Sequence, residues 1–255
     1  MKIKQMLKTA QSFVKRSALA LAAIVLAQPT AQAVSYYLDT DGATSGFQAT
    51  NGATYTLSGN YWNPDSSGIG TLAAFPSGGA LTFGTAASDL NGLAFNVEFN
   101  NNASYGAIVI NATNTTVTMT GADGSVSSDG STWYVAAGST LNQNNVYYVG
   151  APGFNWQSKK VTLAGGGTIN FNKMLGWNST WTGGGPDSGI ITENDAGAGL
   201  VVNLKAAANS DTSYTTGFTL TSGRLNFAAA VSSNAFRGFN QATKPFAING
   251  GTLDN

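Results

Sequence analysis

The sequence predicts an all-β fold wound as a parallel β-solenoid, and three observations predict it. Short runs alternate apolar with polar residues and stop at Gly, Asn or Asp. No stretch after the first 33 residues carries the period of an amphipathic helix. A patterned segment also recurs near the end of the chain at a fixed spacing.

Residues 1–33 read as a secretory leader. Lys2, Lys4, Lys8, Lys15 and Arg16 form a positive start, Ala18 to Ala27 is an apolar run, and Ala31-Gln32-Ala33 is an A-x-A site with cleavage expected after Ala33. The apolar run is 10 residues long, half of the ~20 a spanning helix needs. No later stretch is apolar enough to span a bilayer, so no transmembrane segment is expected in the mature chain. Residues 34–84 carry Pro64, Pro76 and several aromatics, fit the repeat poorly, and are expected to form an N-terminal capping segment over the first exposed edge.

Residues 85–255 are expected to hold the solenoid repeats and to continue past the given C-terminus. The strand signals follow in order: Leu93–Phe99, Ala107–Ile110, Thr115–Thr120, Trp133–Val135, Val146–Val149, Val161–Leu163, Thr168–Phe171, Leu200–Leu204 and Phe218–Leu220. Each is rich in β-branched or aromatic residues at alternate positions. Gly121-Ala122-Asp123-Gly124, Asp129-Gly130 and Gly165 to Gly167 are turn punctuation.

Phe218 to Leu225 and Phe246 to Leu253 share the pattern apolar-x-apolar-x-x-Gly-x-Leu, displaced by 28 residues throughout, and Val161 to Ile169 is a looser copy with one extra residue. In physical terms the two apolar residues share one face of a short strand, Gly turns the corner, and Leu opens the next strand facing inward. One coil cannot bury its own apolar face; stacking coils at the ~4.8 Å interstrand spacing buries it and pairs the backbone. At roughly 20–28 residues per coil, the mature chain makes about eight to eleven coils, a rod of about 40–50 Å, suited to stacked Asn, Thr and Val ladders. An antiparallel β-sandwich is the alternative, since it too yields short alternating strands and Gly/Asn turns.

Composition removes much chemistry. The 255 residues include no Cys and no His, and 9% are charged, against a usual ~25%. Disulfides, thiolate and imidazole metal sites, and Cys–His or Ser–His–Asp nucleophiles are excluded. Five of the 12 basic residues leave with the leader, so seven face 12 acidic ones, a net charge of −5. No Lys or Arg falls between Val34 and Ser158. Nucleic acid is therefore not an expected partner, because its phosphates need a basic stripe.

Asp39-Thr40-Asp41-Gly42 has the spacing that starts a calcium loop, but the later ligands are missing and an Asx-type turn is the expected reading. No metal and no cofactor is expected. Glu98, Asp187, Glu193 and Asp195 are the carboxylates a glycosidase would use, yet nothing in the sequence brings two together; no catalytic residue is assigned. Trp177 and Trp181 form a candidate aromatic platform for sugar rings, against the plainer reading that they pack on a loop. The sequons at Asn102, Asn111, Asn114 and Asn178 are expected to be chance in an Asn/Thr-rich chain.

The leader, the stretches Tyr36-Tyr37-Leu38-Asp39 and Trp62-Asn63-Pro64, and the copies Phe218–Leu225 and Phe246–Leu253 resemble the start of bacterial proteins with autotransporter-associated β-strand repeats. The resemblance implies a right-handed parallel β-helix passenger, secreted or held at the cell surface of a Gram-negative-type bacterium. That family's C-terminal translocator or sorting tail is not visible, which makes the chain read as an N-terminal piece of a longer protein. The expected function is structural or adhesive and non-enzymatic, with extracellular polysaccharide or a host or matrix surface as partner. A β-helix lyase or hydrolase and a sugar-binding β-sandwich module are the alternatives.

Overall fold

The structure is a computed structural model describing residues 33–99, 103–121, 124–126, 130–145, 147–148, 160–172, 190–193, 195–205, 217–227 and 246–254. Residues 1–32, the expected leader, lie outside these apart from the cleavage-site residue Ala33. Among the described residues there is no helix, and hence none long and apolar enough to cross a membrane.

The strands, in chain order, are β1 (Ser35–Leu38), β2 (Thr54–Thr56), β3 (Trp62–Asn63), β4 (Ala80–Phe83), β5 (Ala94–Phe99), β6 (Ala103–Tyr105), β7 (Ala107–Ile110), β8 (Thr116–Gly121), β9 (Gly124–Val126) and β10 (Ser131–Val135). There follow β11 (Thr140–Gln143), β12 (Tyr147–Tyr148), β13 (Lys160–Gly165), β14 (Thr168–Phe171), β15 (Ile190–Glu193), β16 (Val201–Leu204), β17 (Gly217–Leu220), β18 (Arg224–Phe227), β19 (Phe246–Ile248) and β20 (Thr252–Asp254). They sort into three open sheets: β19-β17-β15-β13-β10-β7-β4-β1-β3, then β2-β5-β8-β11-β14-β16-β18-β20, then β12-β9-β6.

Among the described strands every pair is parallel except β1 with β3. The antiparallel-sandwich alternative therefore does not describe this chain. A parallel neighbour cannot be reached by a tight hairpin. Here the chain leaves the first sheet, visits the second, and only then returns beside its starting strand. Thus β13, β15, β17 and β19 lie in the first sheet, and β14, β16, β18 and β20 lie in the second. The sequence repeat is realised in register: Phe218 pairs with Phe246, Leu220 with Ile248 and Leu225 with Leu253. The looser copy joins the same rows, Val161 through Ile191 to Phe218 and Ile169 through Val202 to Leu225.

Strict alternation sends every second side chain inward. In the second sheet Phe95, Val117, Leu141, Ile169, Val202 and Leu225 form one buried row. Val97, Met119, Gln143, Phe171 and Leu204 form the next. In the first sheet Phe83, Ile110 and Val135 stack and end on Gly165. Gly165 has φ 103°, and a methyl group there would overlap the Val135 carbonyl oxygen. Only glycine allows that turn so close to the next strand. Aromatic rings continue the core, Tyr105 against Trp133 and Trp133 against Phe171, each with centroids 6.1 Å apart.

Residues 34–84 supply β1–β4. Trp62 is fully buried, packed edge-on against Phe75 (5.3 Å) and Phe83 (6.2 Å), while Tyr37 stacks on Phe47 at 4.9 Å.

One outward row of the second sheet is polar on every strand. Thr54, Asn96, Thr118, Asn142, Asn170, Asn203, Asn226 and Asp254 occupy one row, strand after strand. Within it Asn170 Nδ2 donates to Asn142 Oδ1, Asn203 Nδ2 to Asn170 Oδ1 and Asn226 Nδ2 to Asn203 Oδ1, each at 2.8 Å. Asn142 Nδ2 donates to Thr118 Oγ1 (3.3 Å) and Asn96 Nδ2 to Thr54 Oγ1 (3.2 Å). Every amide donates toward the preceding strand. A parallel bond joins Asn172 Nδ2 to Asn144 Oδ1 at 2.7 Å.

Candidate functional site

One corner between the first two sheets breaks the chemistry of the rows. Alternation places Glu193, the last residue of β15, on the inward face. Its row runs Trp133, Leu163, Glu193, Leu220 and Ile248, so an acid stands where its neighbours are apolar. Glu193 is fully buried, and neither carboxylate oxygen has a hydrogen-bond partner. Its Oε1 packs against the bare α-carbon of Gly223 (φ 91°), where a side chain would collide with it. The next coil repeats the contact with an apolar residue, since a β-carbon on Gly251 would meet Leu220 Cδ1 at 3.1 Å. The motif glycine thus leaves room for the inward side chain that ends the strand of the preceding coil.

Burial pushes the Glu193 carboxyl up to about 8, and the nearby charge of Asp195 adds to the rise. The Arg224 backbone N–H draws it back slightly, but spends its own hydrogen bond on Leu200 O (2.9 Å).

Asp195, two residues on, is treated oppositely. Burial pushes its carboxyl up, but hydrogen bonds from Ser222, Gly197, Leu200 and Gly199 outweigh that and hold it below the ordinary carboxylate range. Its Oδ1 accepts from Gly197 N–H at 2.8 Å, and its Oδ2 from Gly199 N–H at 2.7 Å and Leu200 N–H at 2.8 Å. Its own N–H donates to Ser222 Oγ at 2.9 Å. Asp195 thereby closes the turn that carries the chain to β16, in which Ala196 takes a left-handed φ of 53°.

The corner unites two of the four carboxylates singled out in the sequence, with pKa values driven apart. Neither is open to a substrate: Glu193 is 0% exposed and Asp195 5%. Glu98 stands apart, half-buried on the outward face of β5, and Asp187 lies outside the described residues. So do Trp177 and Trp181, the candidate sugar platform, and Asn102 and Asn178 of the sequons. Asn111 donates to Gly84 O (2.9 Å), and Asn114, at φ 54°, donates to Asn91 Oδ1 (3.2 Å).

The Asp39–Gly42 segment folds as an Asx-type turn. Asp41 Oδ2 accepts from Thr44 Oγ1 at 2.6 Å and Asp41 Oδ1 from Ala43 N–H at 3.1 Å, and these bonds, the hydroxyl first, lower its pKa. Asp39 is buried with Asn63, whose Nδ2 donates to it at 3.0 Å. Among the described residues no group of three or more acids gathers as a metal-ion site.

The sequence singles out Glu193 only as one of four carboxylates a glycosidase would use, without placing it in the interior. The signal that would have placed it is its position two residues after Ile191, on the inward side of an alternating run. No protein-family model, no curated protein and no solved structure matches the chain.

Proposed function

We propose that the chain is an exported, non-enzymatic surface passenger of the autotransporter-associated β-strand repeat type, its mature part wound as a right-handed parallel β-helix. The observation that carries the reading is the alternation of successive strands between two parallel sheets, with side-chain rows kept in register from β5 to β20. A chain that repeatedly returns beside its own start in parallel is coiling, and the right-handed crossover is the one that L-residue strands favour. Each coil covers the apolar face of the one before, so stability accumulates by neighbour contacts and length can grow without a larger core.

The polar outward row suits display. It is built of Asn and Thr, with hydroxyls and amides and few charges, a surface for neutral polyhydroxylated matter such as extracellular polysaccharide. The leader, with cleavage after Ala33, supports export. The non-enzymatic reading is supported by the closed corner at Glu193 and Asp195, where the two acids with opposed pKa shifts face the interior.

The test is expression in a Gram-negative host with a tag inserted at Asn91-Gly92. Sequencing of the exported chain should begin at Val34, and protease added to intact cells should remove the tag. A tag that survives on intact cells, on a chain still beginning at Met1, refutes the export reading. Release of reducing or unsaturated sugars from common polysaccharides by the purified chain refutes the non-enzymatic one.

A further inference from the structure

The corner at Glu193 is a structural contradiction that a purely scaffolding chain has no need of. We propose that Glu193 is a proton-operated latch: as the neutral acid it lies in the inward row against Gly223 and keeps the 193–224 corner closed, and on losing its proton it leaves the row and the corner opens.

Three geometric observations carry this: the pairing register, the unpartnered carboxylate oxygens and the backbone hydrogen bonds of the same residue. The flanking residues of the row are Leu163 and Leu220, both fully buried, so an ion at this position has no partner along the row. Both carboxylate oxygens lack hydrogen bonds, so the site solvates the charged form poorly. The same residue also fastens the corner through its backbone: Thr221 N–H donates to Glu193 O at 2.9 Å and Ser222 N–H at 3.4 Å. Moving the side chain therefore disturbs bonds that hold β15 to the turn leading into β18.

The charges around it favour departure. From the following turn, Asp195 faces it as a carboxylate fixed by its own N–H donors. From β13 and β17 the facing residues are the uncharged Leu163 and Leu220. On β18 the Arg224 side chain is 55% exposed and lies 3.9 Å from Asp254, on the outward face. Lys160 sits at the far end of β13, in register with Ile190, and Lys205 follows β16 exposed to solvent. No described cation closes on Glu193. The raised carboxyl, near 8, puts the change in a range that external fluids span.

The mature sequence has only two glutamates, Glu98 and Glu193. The full mature chain labelled with 13Cδ-glutamate should thus give two carboxyl resonances, one of them titrating above pH 7. Amide exchange, corrected for its intrinsic pH dependence, should follow the same group. Protection at Thr221 and Arg224 falls about tenfold per pH unit from near pH 5 and levels off near 8, because the closed form holds a proton that the open form releases. Asn96, bonded to Ala53 O at 2.8 Å far from the corner, serves as the internal reference and should stay flat. In Glu193→Gln, or in Glu193→Leu should the amide fail to fold, the corner becomes pH-independent. The latch is overturned if both glutamates titrate in the ordinary carboxylate range, or if one titrates high while exchange at Thr221 and Arg224 ignores it. A pH dependence that survives in the folded variant overturns it equally.

Discussion

Asn170 sits in the middle of the amide row, 8% exposed, donating to Asn142 Oδ1 and accepting from Asn203 Nδ2, both at 2.8 Å. Asn170→Ala removes both bonds and leaves a carbonyl and an N–H stranded on its neighbours. With each bond contributing about 1 kcal/mol net, and stranded partners adding to that, the loss should be about 2–3 kcal/mol. Asn226 has one bond in the row, to Asn203, and its Oδ1 is already unpartnered. Asn226→Ala should therefore cost about 1 kcal/mol. Asn170→Asp separates the two halves of the interaction: the carboxylate still accepts from Asn203 but faces the Asn142 carbonyl. It should be worse than alanine at neutral pH and recover in acid, once protonated. Urea unfolding with the midpoint and slope compared across the three variants reads this directly. If Asn170→Ala costs no more than Asn226→Ala, the cooperative, one-way row is not a source of stability, and the reasoning fails.

Three other outcomes are expected. Gly165→Ala forces an L-residue to φ 103° against the Val135 carbonyl and should cost roughly 3 kcal/mol, whereas Gly52→Ala, at φ 78° with open space around it, should cost about 1; thermal unfolding of the pair distinguishes them. Trp133→Ala empties a fully buried position between two rings and should cost about 3–5 kcal/mol, measured by urea titration. Glu193 has a folded pKa of about 8 against an ordinary 4.5. Its share of stability is whole below the lower value, falls as pH rises between them, and is flat above, so Glu193→Leu should be the more stable form by roughly 3 kcal/mol at pH 7 and equal or inferior near pH 4. A chemical-denaturation series at pH 4, 6, 7 and 9 checks both the size and the sign.

The strands were legible because alternation is a local property. Each of the nine alternating runs overlaps a strand, and Leu93–Phe99 and Phe218–Leu220 nearly match β5 and β17. The parallel order was legible only where the repeat spacing is constant. Partners in the amide row stand 28 residues apart at Asn142–Asn170, but 33 at Asn170–Asn203 and 23 at Asn203–Asn226. The strands keep register while the connections between them vary in length, so a fixed-period comparison finds Phe218–Leu225 with Phe246–Leu253 and passes over Ile191 and Val202. The corner acids were legible as residue types but not as a pair. What drives their pKa values apart is three-dimensional: the Leu163 and Leu220 neighbours of one, and the Gly197, Gly199 and Leu200 N–H groups around the other.

The first sheet stops in an unusual way on its β1 side. There β3 spans two residues, runs against its neighbour, and is followed at once by Pro64, which has no N–H. Its outer backbone is already engaged with Ala73, through Trp62 N–H to Ala73 O at 3.1 Å and the reverse bond at 3.0 Å. A foreign strand arriving at this margin meets no free run of donors and acceptors to zip onto. At this one margin of the first sheet, edge pairing is disfavoured by a reversal only two residues long.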